Sequence, residues 1–162
     1  MNHNFERRYQ KLEKDYPNKK MAKELGLINN SNINNEIGYY KEGPKIYWKF
    51  YSSKLKYREA AEYIKTIDIG LPIELNYIIA EFVLEKSYIE LIFLQFFPTI
   101  YPFRRPFFEI LNCEFNSKSQ IDKENNFKKI FKRHHRKFWD ANILIDKDIL
   151  DLYADLDLEK YL

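Results

Sequence analysis

Residues 97–110 read "FPTIYPFRRPFFEI", three prolines and five aromatic rings set between two runs that otherwise look like β-strands. No other stretch limits the fold as much. Proline has no N–H to give to a strand ladder, so Pro98 ends the run that precedes it. Pro102 and Pro106 fix their own φ and push Tyr101 and Arg105 toward extended backbone. The expected product is a stiff crossover at the end of a sheet. Tyr101 and Phe103 can pack over that end and hold the next strand in register.

The flanking pattern supplies the elements that this crossover joins. "NYIIAEFVLEKSYIELIFLQFF" reads as two β-type runs with a tight connection at Glu85-Lys86-Ser87, and "RPFFEILNC" as a third run. Further upstream, "EIGYYKEGPKIYWKFY" predicts two short strands around a Gly43-Pro44 turn. Phe5, Tyr9, Leu12 and Tyr16 at helical spacing predict an N-terminal helix. Residues 28–36 are Asn-rich and read as a loop, and 54–67 as a helix closed by Gly70 and Pro72. Asp122 is placed to cap a helix running to Phe138, with Phe127, Ile130, Phe131, His134 and Phe138 on one stripe. Asp146 is placed to cap a last helix whose stripe is Ile149, Leu152, Tyr153 and Leu156. The expected class is α+β: an antiparallel meander sheet of about four strands, with an N-terminal helix and C-terminal helices packed on it. At 162 residues and 45% hydrophobic content, residues 1–162 read as a single domain.

Composition narrows the chemistry. Cys113 is the single cysteine, so no internal disulfide can form. The first 25 residues lack the apolar centre of a signal peptide, and "YIELIFLQFF" is far too short for a membrane span. The expected location is therefore intracellular, cytoplasmic or nuclear, with no membrane contact. Four glycines and three histidines allow no Gly-rich phosphate loop and no hydrolase triad, and no cofactor is expected. His134 and His135 point about 100° apart on a helix and lack a third ligand, so no metal is expected; His134 reads as a satisfied, partly buried side chain. "DKDILDLYADLDLE" lacks the glycine and spacing of a calcium loop and reads as a helix with a solvated acidic face.

Residues 128–137, "KKIFKRHHRK", hold six Lys/Arg, which admits a phosphate-contacting surface and hence nucleic-acid binding. The weightier reading is a solvated helix face balanced by the seven Asp/Glu of residues 140–162, because the whole chain carries only +3.

A strand ending in Phe-Pro, then Tyr-Pro-Phe, then a proline opening another strand, resembles the ubiquitin-conjugating enzyme superfamily and its RWD relatives. A second stretch, "WDANILIDKDILDL", resembles the family segment in which a Trp precedes an apolar run and a capped helix. There Trp139, Ile143, Ile145, Ile149 and Leu150 stand at the apolar positions. The likeness covers roughly 77–156 and loosely 5–16; residues 26–70 have no counterpart and read as a divergent N-terminal elaboration. The very short connection at Lys86 leans toward the RWD side.

Conjugating enzymes carry ubiquitin as a thioester on a cysteine that follows a His-Pro-Asn. Here no cysteine lies beyond Cys113, and "SQIDKENN" stands where the His-Pro-Asn would be. Cys113 itself lies well upstream of the family position and reads as a buried strand-end residue. The chain thus resembles a non-catalytic family variant, a binding module for ubiquitin, a conjugating enzyme or a ligase. The resemblance carries partner contact onto Phe103 and Arg104 of the loop and onto Arg7 and Arg8 of the basic first helix. Its third element, Ser-Pro-Ala after the Trp, is replaced by Asp140-Ala141-Asn142. Nucleic-acid binding through 128–137 and an atypical conjugating activity on Cys113 stand as the alternatives.

Overall fold

The structure, a computed structural model, describes residues 2–17, 33–54, 87–116 and 122–162. A helix, α1 (His3–Asp15), precedes four strands: β1 (Ile33–Glu42), β2 (Lys45–Lys54), β3 (Ser87–Phe96) and β4 (Phe107–Asn116). Two helices, α2 (Lys123–His135) and α3 (Ile145–Leu156), and a 3₁₀ turn at Leu158–Tyr161 complete the chain. The sheet is an antiparallel meander in the order β1-β2-β3-β4. This is the expected α+β arrangement, with three helices on one face of the sheet.

Alternation along the strands decides that face. Ile37 and Tyr39, Ile46, Trp48 and Phe50, Ile89, Leu91 and Phe93, and Phe108 are all buried on the same side. Each helix reaches this side with a ring. Tyr9 of α1 meets Tyr39 at 6.2 Å, Tyr153 of α3 meets Phe50 at 5.2 Å, and Phe131 of α2 meets Phe93 at 5.3 Å. Two polar groups within this core are paired: the Trp48 indole N–H donates to Oε1 of Gln95 at 2.9 Å. That bond removes a desolvation cost that a bare buried N–H would carry.

Gly43 takes a left-handed φ of 57° at the β1–β2 turn, which glycine adopts without steric cost. The two strands around it are ten residues each, longer than the sequence suggests. They lie within residues 26–70, so half of the sheet comes from the segment for which the resemblance offers no counterpart. Both edges of β3 are occupied, by β2 from Ser87 to Phe96 and by β4 from Tyr88 to Phe96. On the buried face Trp48 of β2 lies opposite Phe93 and Phe50 opposite Leu91, with Ser52 opposite Ile89 and Ile46 opposite Gln95. Residues 77–86 lie outside the described residues, as do 55–67 of the expected helix and 28–32 of the expected Asn-rich loop. Residues 33–36, expected in that loop, open β1 because they pair with 51–54, and Lys54, expected to begin the helix, ends β2. Ser87, expected in the turn, is the first residue of β3 and pairs with Lys54.

Two expectations about the C-terminal helices need correction. Asp122 caps α2 as expected, its carboxylate accepting from the Asn125 N–H at 3.2 Å, and Phe127, Ile130, Phe131 and His134 are buried. However, α2 ends at His135, so the helical period no longer places Phe138, whose side chain is 85% exposed. The N-cap of α3 is Leu144 rather than Asp146, which lies inside the first turn, where its charge faces the positive end of the helix. The acidic run is also not wholly solvated. Asp148 is buried, and Asp155 is bound to Lys137.

Candidate functional site: the proline crossover

The crossover begins where the prolines require. β3 stops at Phe96, and the Phe97 N–H, with no ladder partner left, donates to the Pro44 carbonyl of the β1–β2 turn at 2.9 Å. Two tight turns follow, Tyr101 N–H to Pro98 O at 3.0 Å and Phe103 N–H to Ile100 O at 2.9 Å. The Tyr101–Pro102 peptide is cis. Pro106 is buried immediately before β4 begins.

Tyr101 is the inward half of this turn. Only 2% of it is exposed, with its ring edge-on to Phe97 at 4.8 Å and to Phe5 of α1 at 6.5 Å. Burial raises its phenol pKa, so it stays neutral through the physiological range. Phe103, two residues on, is the outward half and is 80% exposed. Arg104 is exposed beside it, its guanidinium 5.3 Å from the Phe107 ring centre.

Three braces hold the turn from behind. Asn2, the N-cap of α1, accepts from the Phe5 N–H with its side-chain oxygen. Its amide nitrogen donates to the carbonyls of Thr99 at 3.1 Å and Tyr101 at 2.9 Å. Arg8 donates to the Tyr101 hydroxyl at 3.3 Å, to Ile143 O at 3.0 Å and to Ala141 O at 2.5 Å. Trp139 donates from its indole to Pro102 O at 2.8 Å, with the Arg105 guanidinium 5.4 Å from its ring centre. Arg105 in turn donates to the carbonyls of His135 at 3.0 Å and Lys137 at 2.7 Å, the carbonyls left free at the end of α2.

The four residues expected to meet a partner therefore separate. Phe103 and Arg104 stand together on the outside of the turn. Arg7 is exposed on α1 and donates to Asn4 of its own helix. Arg8 faces inward and is committed to the fold. Its bonds join α1, the crossover and the turn at 140–143. Asn2 was not anticipated; an asparagine just before an amphipathic run is the signal that points to it as a helix cap.

No family model, curated protein or solved structure matches this chain.

Beneath the crossover lies a polar cluster. His134 is buried with its Nε2 2.8 Å from an Asp148 oxygen, and Arg105 approaches the same carboxylate at 3.9 Å. The His135 Nε2 accepts the Phe108 N–H at 2.9 Å, so that nitrogen carries no proton. Burial and the nearby Arg105 charge both lower the pKa of His135, which favours this neutral form. Among the described residues no group of His, Cys, Asp and Glu is arranged to hold a metal ion, and no helix is long and apolar enough to cross a membrane. Cys113 lies inside β4, which continues to Asn116, and is half-buried, rather than buried at a strand end. Burial pushes its thiol up to about 11, opposite to what a thioester-forming nucleophile needs.

Proposed function

We propose that the chain is a non-catalytic protein-binding module of the ubiquitin-conjugating-enzyme-like kind, and that it presents Phe103 and Arg104 to ubiquitin, a conjugating enzyme or a ligase. One observation carries this reading: a turn braced from α1, from Trp139 and from the β1–β2 hairpin holds a phenylalanine 80% exposed. An apolar ring held out on a rigid turn loses little conformational freedom when it docks, which favours its use as a contact residue. The sheet order and the convergence of three segments on Arg8 fit the same reading. The high thiol pKa of Cys113 speaks against the conjugating alternative.

The test is a titration of isotopically labelled protein with ubiquitin and with a panel of conjugating enzymes and ligases. Amide shifts should cluster at 99–107 and weaken at least tenfold in Phe103→Ala, with Arg104→Glu showing the same direction. Absence of shifts across the panel, or shifts centred elsewhere, would overturn the proposal.

A further inference from the structure

Helix α2 carries two stripes with the same spacing. Phe127, Ile130, Phe131 and His134 are buried against the sheet and α3. Lys129, Lys132, Arg133 and Arg136 repeat that spacing two residues later, about 200° around the helix, and all four are exposed.

Neutralisation by the acidic C-terminus is the plain alternative for such a stripe, but the carboxylates of α3 that form ion pairs are directed elsewhere. Asp148 faces His134 and Arg105, Asp155 is bound to Lys137, and Asp151 pairs with Lys147 inside α3. Glu124, at the start of α2, pairs with Lys128. Among the described residues no ion pair reaches the four stripe cations. The acidic segment thus balances the net charge of the chain without covering this face.

We propose that this face of α2 binds single-stranded nucleic acid through its phosphates. A membrane surface fits less well, because an interfacial helix needs a free apolar stripe and that of α2 is buried. Phe138 favours a single strand over a duplex. It stands two residues past Arg136 and is 85% exposed, offering a ring to unstacked bases that a duplex does not present. The stripe runs about 10 Å along the helix, and its four cations can meet about three phosphates of a flexible strand. The stripe uses residues other than Phe103 and Arg104, so the proposal does not depend on the protein-binding role.

The experiment measures fluorescence anisotropy of a labelled 15-nucleotide oligothymidylate with the full chain. Duplex DNA of the same length and phosphatidylserine vesicles form parallel arms. Neutralising about three phosphates of a single strand, with release of about two counterions, predicts roughly eighteenfold weaker binding at 200 mM than at 50 mM salt. Lys132→Glu with Arg133→Glu should abolish binding, and Lys129→Gln with Arg136→Gln, the milder pair, should weaken it and flatten its salt dependence. Loss of a stacked ring in Phe138→Ala should weaken the single strand by about fivefold or more and leave the duplex unchanged. Circular dichroism checks that each variant is folded, and the Gln pair decides the matter if the Glu pair is not. No binding at 50 mM salt, binding indifferent to salt or to the folded stripe variants, or preference for duplex or vesicles would each overturn the proposal.

Discussion

Tyr101 and Phe103 stand two residues apart on one turn, both aromatic, and the fold uses them in opposite ways. Tyr101 is locked among Phe97, Phe5 and Arg8, whereas Phe103 is 80% exposed. The difference comes from geometry rather than hydrophobicity, since the more polar of the two rings is the buried one. Its hydroxyl has a partner in Arg8, and a buried polar group with a partner costs little. The contrast suggests that the inner half of the crossover supports the outer half, and mutations can separate the two.

The largest effect should come from Tyr101→Ala, which empties a buried aromatic site and is expected to cost about 3 kcal/mol or more in chemical denaturation. A loss under about 1 kcal/mol would mean that the turn does not depend on this ring. Arg8→Ala comes next. It deprives the Ala141 and Ile143 carbonyls of a charged donor, with an expected cost of about 2 kcal/mol for partly buried, charge-assisted bonds. Arg8→Lys should restore only part of it, because an ammonium cannot reproduce the planar fork that spans two carbonyls and a hydroxyl.

A pH-dependent loss should follow from His135. Its folded pKa is lowered, so the unfolded chain takes up the proton first as pH falls. The stability tied to neutral His135 is present above about pH 6.5, the usual value for the unfolded group. It declines as pH falls through the folded pKa and levels off below it. Denaturation midpoints between pH 8 and 5 should show this decline, and His135→Gln should reduce it; an equal decline in the variant would assign the effect to other groups. The smallest effect belongs to Phe103→Ala, expected within about 0.5 kcal/mol of the parent, as for surface changes generally. If Phe103→Ala and Tyr101→Ala cost the same, the two halves of the turn are one core.

The inner half was the more legible of the two. Three prolines at fixed positions announce where β3 stops and β4 starts, because each removes a donor or fixes a φ locally. Gly43 announces the β1–β2 turn in the same local way. What failed was the extrapolation of a period past its element: Phe138 continues the spacing of α2 but follows its end, and Asp146 resembles a cap but follows one. The pairing of β3 with β2 is not legible in the sequence, because residues 55–86 separate the two strands. Arg8 and Asn2 were out of reach for a related reason. Their partners are more than 90 residues away, and no local pattern encodes such a bond. The basic stripe of α2 was legible as a count of charges. Whether anything neutralised it depended on which way the carboxylates of α3 point.

The partial burial of Cys113 has a practical side. Desolvation that moves the thiol from 9.0 to about 11 cuts its thiolate fraction at neutral pH roughly 100-fold, and the chain has no other cysteine. A maleimide dye should therefore ignore the native residue during a brief reaction. A single exposed substitution such as Arg7→Cys would then take the label almost alone, with no need for a cysteine-free background.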